Sequence, residues 1–188
     1  MEPVLILIGA ALVAIAAVFT VRMYNDFVQR RLRTDGAWAQ IDVQLKRRHD
    51  LVPNIVAAVK GYMGFEQDVL TRVTEARANA VAAGARGRAE AAAAEGALTG
   101  ALRSLFAVVE NYPDLKASAN VGALQAQLAT TENQIQTARD SFNGAVREYN
   151  TVITTFPAVL MARSMGFTPR PFFEAESETR VVPSVQLR

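Results

Sequence analysis

The feature that most constrains the fold is an uninterrupted apolar run near the N-terminus. Residues 4–21, VLILIGAALVAIAAVFTV, contain no charged side chain. As an α-helix rising about 1.5 Å per residue, this run spans roughly 27 Å, close to the thickness of a bilayer core. The alternatives are a buried core helix and a cleaved signal peptide, but a signal peptide begins with cations, and only Met1, Glu2 and Pro3 precede the run. The sequence predicts a retained transmembrane helix over residues 4–21.

Basic residues follow the apolar run and predict its orientation. Four arginines lie beyond it against one early acid, Asp26: Arg22, Arg30, Arg31 and Arg33. Because cytoplasmic flanks of membrane helices carry an excess of Lys and Arg, these side chains are predicted to determine topology. Residues 1–3 then form a short extracytoplasmic N-terminus, and the bulk of the chain is cytoplasmic. The same arginines could instead hold anionic lipid headgroups.

The next part of the chain, residues 22–165, has the periodicity of helices rather than strands. Apolar residues recur at alternating steps of three and four, which is the spacing of one helix face. One such stripe runs from Trp38 to Ala76 and is interrupted only at Arg48 and Glu66. A second stripe ends with the residues Leu98, Leu102, Leu105, Val109 and Tyr112. A third stripe runs from Val121 to Phe156.

Narrow stripes on long helices need partners to cover them, which favours an antiparallel bundle or contact with other copies of the chain. The predicted fold class is therefore all-α. It has one N-terminal transmembrane helix, a cytoplasmic antiparallel bundle of three to four long helices over residues 22–165, and an extended C-terminal tail over residues 166–188.

Prolines, glycines and one asparagine predict where these helices begin and end. Pro53 either kinks the first helix or separates two helices, because a proline inside a helix removes a hydrogen bond. The glycine-containing stretch 82–90 predicts a turn, Pro113 ends the second helix, and Asn120 is the predicted N-cap of the third. Pro157 closes that helix or opens a short final one that Gly166 stops.

The tail contains three phenylalanines, Phe167, Phe172 and Phe173, in a chain that has few aromatic residues. Such side chains either anchor a tail along its own bundle or dock on a neighbouring subunit. Both interpretations fit the sequence, and the tail itself shows no sustained helical period.

The stretch KRRHDLVPN, residues 46–54, places a cation on the apolar stripe. Arg48 lies on the stripe, and an unpaired buried charge is costly, so we expect a carboxylate or amide partner. Glu132 and Asn133 of the third segment are the predicted partners, and Asp50 and Asn54 could complete the network. Such a polar cluster either fixes helix register or forms a pocket for an anionic ligand.

Enzyme chemistry has little support in this sequence. It contains no cysteine and a single histidine, His49, and none of the phosphate-binding, dinucleotide-binding or zinc-protease motifs. We therefore predict no catalytic residues, no metal site, no cofactor and no enzymatic activity. The formal net charge of +2 also argues against a nucleic-acid partner.

Several long motifs resemble the LemA family of bacterial membrane proteins. They are GAWAQIDVQLKRRHDLVPNIVAAVKGY, ENYPDLKA, LQAQLATTENQIQTARDSFN, EYNTVITTFP and the GF that precedes the tail, in that order along nearly the whole chain. The resemblance implies a short outer N-terminus, one membrane helix and a cytoplasmic helical bundle, in a single-pass protein of the bacterial inner membrane. It implies no catalytic residues.

Two functions follow from this organisation. The first is a membrane-anchored helical scaffold that self-associates, with membrane lipid and further copies of the chain as its partners, and possible cytoplasmic proteins besides. The alternative is a membrane-tethered adaptor or sensor that binds a peptide, lipid or small anion through Lys46, Arg47 and Arg48 or through the arginines beside the membrane.

Overall fold

A computed structural model describes residues 2–62 and 66–173 of the chain. Six helices follow one another, and these residues contain no strand, so the predicted all-α class is confirmed. The helices are α1 (Glu2–Lys60), α2 (Gln67–Gly84), α3 (Arg88–Val109), α4 (Pro113–Lys116), α5 (Ala119–Thr154) and α6 (Ala158–Ser164). Residues 174–188, most of the predicted tail, lie outside the described part, as does Met1.

Helix α1 passes through Pro53 without a break. The sequence left open whether this proline kinks one helix or separates two, and the structure shows one helix that ends only at Lys60. The apolar stripe from Trp38 to Ala76 is therefore divided between α1 and α2. Its interruption at Glu66 marks the real boundary, because Glu66 has extended backbone angles and occupies the N-cap position of α2.

The described residues form two compact units. The central unit contains residues 43–135, and its core is built from the end of α1, helices α2, α3 and α4, and the first half of α5. Apolar side chains at three-and-four spacing supply this core, as expected for amphipathic helices that bury one face each. The fully buried members include Val52, Ile55, Val59, Val69, Val73, Leu98, Leu105 and Leu115.

The terminal unit contains residues 2–42 and 136–172. Its core combines Phe27 of α1, Tyr149 and Ile153 of α5, and Ala158 and Ala162 of α6 with Phe167. The Phe167 ring meets the edges of two α1 rings, with centroids 5.2 Å from Phe27 and 5.8 Å from Tyr24. Phe167 therefore packs within its own chain, as does the buried Phe173, whereas Phe172 is 44% exposed.

Helix α6 ends in a hydrogen-bonded reversal that places Phe167. Gly166 has φ +76°, a left-handed conformation that favours glycine. The Phe167 N–H donates to the Ala162 carbonyl at 2.9 Å and the Gly166 N–H to the Arg163 carbonyl at 3.3 Å, the two bonds of a Schellman motif. The prediction that Gly166 stops a short final helix is confirmed.

The N-terminal cap of α5 differs from the prediction. Asn120 lies inside α5, which begins at Ala119, so it is not the cap. Ser118 holds that position instead, and its hydroxyl oxygen accepts a hydrogen bond from the Val121 N–H at 3.5 Å. Serine and asparagine are comparable caps, so the sequence pattern alone does not choose between positions 118 and 120.

Within the described residues, two helices, α1 and α3, are long and apolar enough by composition to cross a membrane. Helix α3 buries its apolar face in the core of the central unit through Leu98, Leu102, Leu105 and Val109. The apolar segment at the start of α1 is not buried at all. The first fully buried side chain along α1 is Phe27.

Candidate functional site

A buried cluster of charged side chains surrounds Arg48 in the central unit. Arg48 lies on the apolar stripe of α1 and is only 2% exposed. Its guanidinium donates to the carboxylate of Glu95 on α3 and, at 2.8 Å, to Glu132 Oε1 on α5. Nη1 also donates to the Thr99 hydroxyl at 2.9 Å. One arginine thus connects α1 to two other helices.

Glu95 is the second buried member of this Arg48 cluster. Its side chain is 6% exposed, and it accepts from Arg48 through one oxygen and from His49 Nε2, at 2.7 Å, through the other. A carboxylate with both oxygens occupied by N–H donors is well solvated by the protein. The positive charge of Arg48 already neutralises the Glu95 carboxylate. A positive charge on His49 would therefore have no buried carboxylate of its own to balance it.

The environment of the His49 imidazole favours its neutral form. Burial lowers the pKa of His49 below its usual value, the guanidiniums of Arg48 and Arg77 lower it further, and the exposed Asp50 carboxylate opposes them. A neutral imidazole protonated at Nε2 still donates to Glu95, so the hydrogen bond survives without the charge.

We expect the protein to lose stability as the pH falls below about 6.5, the usual pKa of histidine. The folded-state pKa of His49 is lowered, so the unfolded chain binds the proton more tightly. The stabilisation is complete above the unfolded pKa and is lost as the pH falls through the folded one. Urea unfolding of the full-length protein in detergent, followed by circular dichroism between about pH 8 and 5, measures this loss.

The variant His49→Gln is the matched control, because glutamine can donate to Glu95 but does not titrate. His49 is the one histidine of the chain, so the difference between the two pH profiles belongs to this residue. Superimposable profiles for the native protein and the variant would show that His49 is not linked to folding.

A second contact in this region supplies a hydrogen bond that the α1 backbone lacks because of Pro53. In a regular helix the N–H of residue 53 donates to the carbonyl of residue 49, but proline has no N–H. Arg77 of α2 fills the gap, since its Nε donates to the His49 carbonyl oxygen at 2.6 Å. This contact explains how α1 continues through Pro53 without leaving that carbonyl unpaired.

The predicted cluster residues are only partly brought together. Arg48 and its predicted partner Glu132 form an ion pair. Asp50, Asn54 and Asn133 lie at exposed positions rather than in the buried core. The residues that sequence reasoning did not include are Glu95, Thr99, His49 and Arg77. Glu95 carried a usable signal, because it stands three residues before Leu98 on the same three-and-four stripe.

A separate contact set in the terminal unit holds the start of the tail. The Arg170 guanidinium donates to both carboxylate oxygens of Asp35, at 2.6 and 3.2 Å, and to the Thr34 hydroxyl. The Asn150 side-chain amide makes two hydrogen bonds to the Arg170 backbone. Its oxygen accepts from the Arg170 N–H and its nitrogen donates to the Arg170 carbonyl, both at 2.8 Å. Arg170 is thereby fixed to both α1 and α5.

The four arginines assigned to topology lie along α1 after the apolar run. Arg22, Arg31 and Arg33 are exposed, whereas Arg30 is partly buried and bonds Asp26 at 2.9 Å. Arg30 also approaches Glu148 of α5 at 3.7 Å. No group of three or more metal-ligating side chains is found in residues 2–62 and 66–173.

These features define a class of protein: an all-α chain with an exposed apolar N-terminal helix segment and buried charged side chains that connect its helices. A family model described as LemA family matches residues 37–187. The chain belongs to the LemA family, which confirms the resemblance drawn from the sequence motifs.

Curated relatives align over most of the chain. Magnetosome protein MamQ 2 of Paramagnetospirillum magneticum is 25% identical over 194 residues, covering 90% of this chain and 71% of the relative. Magnetosome protein MamQ of Magnetospirillum gryphiswaldense is 23% identical, covering 91% and 72%. Protein LemA of Metamycoplasma hominis is 25% identical, covering 87% and 75%. At this level of identity the comparison supports family membership.

Proposed function

We propose that this protein is a membrane-anchored, self-associating helical scaffold of the bacterial inner membrane, with no enzymatic activity. The observation that carries the proposal is the exposure of residues 4–21 at the start of α1. Their large side chains, such as Leu5, Leu7 and Val13, are about 70% exposed. An apolar surface of this length requires lipid or protein to cover it.

The orientation follows from the residues around this segment. Helix α1 continues unbroken into the helical part of the chain, and the arginines that follow the apolar run support a cytoplasmic location for that part. There the end of α1 packs with α3 and the first half of α5 around the Arg48 cluster, as part of an antiparallel bundle. Because Arg48 contacts α3 and α5 together, a slip of either helix would leave a buried charge unpaired, so the cluster fixes register.

Self-association is supported by the membrane segment and its confinement. Small residues such as Gly9, Ala10, Ala14 and Ala17 allow close helix contact in lipid, and among the described residues a Cβ added at Gly9 would find no neighbour within 4 Å outside its own helical turn. Anchoring copies in one plane also raises their effective concentration, so weak contacts between them suffice.

An adaptor that binds an anionic peptide or lipid is the second candidate. It is favoured by Lys46 and Arg47, which are exposed beside the buried Arg48. The three cations differ in this respect. Arg48 is already occupied by carboxylates, whereas Arg47 makes one long hydrogen bond, to Gln134 Oε1 at 3.4 Å, and both Lys46 and Arg47 are exposed to a ligand. A partner captured by the native protein and lost with Arg47→Glu would support this function.

The scaffold proposal is tested in native membranes. We expect the protein to remain in the membrane fraction after carbonate extraction, and its C-terminal part to resist protease added outside intact inner-membrane spheroplasts. Crosslinking is expected to yield dimers or larger species. Release by carbonate would contradict the anchor, and a monomer both after crosslinking and in detergent would contradict self-association.

A further inference from the structure

We infer that the corner between α5 and α6 is a second membrane-contact site, which inserts into the lipid interface beside the anchor. The exposed large apolar side chains of this corner are Phe156 and Leu160, which are 77% and 67% exposed. The inference rests on the proposed membrane anchor, and the proposed occupant is the lipid surface.

The position of this corner along the membrane normal follows from the way α1 and α5 align side by side. The Trp38 and Phe142 rings lie 5.3 Å apart, and further along the pair Arg30 contacts Glu148. Residue numbers rise along α5 as they fall along α1, so the two helices run in opposite directions within the terminal unit. Extending this register places Phe156 roughly beside Tyr24, given the equal rise per residue of both helices.

Tyr24 lies three residues beyond the apolar run, about 4.5 Å along the helix axis. The polar layer on each side of a bilayer core is about 5–7 Å thick. A side chain at the height of Tyr24 therefore lies in the headgroup layer, where aromatic residues are enriched. Tyr24 is itself 46% exposed, in keeping with that position.

Helix α6 is held at the same end of the terminal unit by its opposite face. Ala158 and Ala162 are buried in the cluster that contains Phe27, and Phe167 follows α6 against the rings of Tyr24 and Phe27. Leu160 lies between the two alanines but is exposed. The helix thus packs on α1 near the membrane with one face and presents an apolar side chain on the other.

The charge of this corner fits an anionic lipid surface. Residues 149–173 contain no aspartate or glutamate. Arg163 of α6 and Arg22 of α1 are both exposed. A short segment with exposed apolar side chains and exposed arginines has the composition of an interfacial membrane contact, and its affinity depends on anionic lipid.

The chain contains no cysteine, so single spin labels can be introduced cleanly at chosen positions. The full-length protein is placed in vesicles of phosphatidylcholine and phosphatidylglycerol, with labels on Phe156→Cys and Leu160→Cys. Val13→Cys reports on the anchor. Val81→Cys, half-exposed on α2, is the control in the central unit. Circular dichroism verifies that each variant keeps its helix content.

The expected result is a several-fold higher ratio of oxygen to nickel-chelate accessibility at positions 156 and 160 than at position 81. If position 13 is lipid-exposed while 156 and 160 match position 81, the inference is overturned and the anchor stands. An aqueous position 13 overturns the proposed anchor and this inference with it. Spin–spin broadening at position 156 would instead assign the surface to a second copy and overturn the lipid contact.

The role of Arg163 is tested by the lipid composition. Omitting phosphatidylglycerol is expected to lower the accessibility ratio at position 156, and Arg163→Gln is expected to weaken that dependence, with Arg22 retaining part of it. A ratio that is the same with and without phosphatidylglycerol overturns the assignment of Arg163 to anionic headgroups.

Discussion

Replacing Arg48 with methionine is expected to destabilise the protein by about 3–5 kcal/mol, the typical cost of breaking one partner of a buried ion pair. Methionine keeps most of the apolar stem but removes every donor, so the nearly inaccessible Glu95 loses its guanidinium partner. Glu132 is affected less, because its side chain is 35% exposed and water can solvate it. Urea unfolding of the full-length protein in detergent, followed by circular dichroism, measures the change.

Two further variants separate the pairing from the charge itself. Arg47→Met removes the neighbouring cation, which is exposed, and we expect a change within about 0.5 kcal/mol. The double variant Arg48→Met with Glu95→Leu removes both charges and is expected to recover much of the lost stability, because apolar replacements of buried pairs are often tolerated. A small loss in Arg48→Met would show that Glu95 finds another partner or accepts a proton.

The double variant also addresses what the cluster is for. If the Arg48 cluster fixes register, the double variant is stable but less uniquely packed, which broadens its amide resonances or changes its oligomeric state. If the cluster contributes only stability, the recovered variant behaves like the native protein. The outcome distinguishes register from stability without any assumption about a ligand.

The helices could be predicted from the sequence because a helix that buries only one face carries apolar residues at alternating steps of three and four. Leu98, Leu102 and Leu105 stand on one face of α3 at steps that only a helix aligns, and all three are buried. The same reasoning placed Arg48 inside. It identified Glu132 as a partner because the TTEN stretch flanks the stripe of α5, but it did not extend the α3 stripe one step back to Glu95.

Other contacts leave no local trace in the sequence. Arg77 stands one helical turn after Val73, a position that also fits an ordinary solvated cation, and nothing nearby indicates that it bonds the backbone of α1. Arg170 bonds Asp35, which lies more than a hundred residues earlier in the chain. Such pairings depend on which helices become neighbours, and periodicity within one segment carries no information about that choice.

Replacing Arg77 with methionine is expected to cost about 1–3 kcal/mol, the usual penalty for a polar group left without its hydrogen bond. The group in question is the His49 carbonyl, which Pro53 cannot satisfy and to which Arg77 donates at 2.6 Å. The His49 carbonyl lacks a backbone donor only because residue 53 is proline. The free-energy cost of Arg77→Met should therefore depend on which residue occupies position 53. The free energy of unfolding is measured by urea titration of the full-length protein in detergent.

The companion variant Pro53→Ala restores an N–H that can donate to the same carbonyl. Pro53 is exposed, so alanine removes little packing, and the restored helical bond is expected to stabilise the protein by up to about 3 kcal/mol. In the Pro53→Ala background Arg77→Met should then cost well under 1 kcal/mol, because the carbonyl already has a donor. The coupling energy of this double-mutant cycle is the quantity that decides. Equal costs of Arg77→Met in the two backgrounds would mean that Arg77 stabilises the protein through its packing or charge and not by replacing the hydrogen bond that Pro53 lacks.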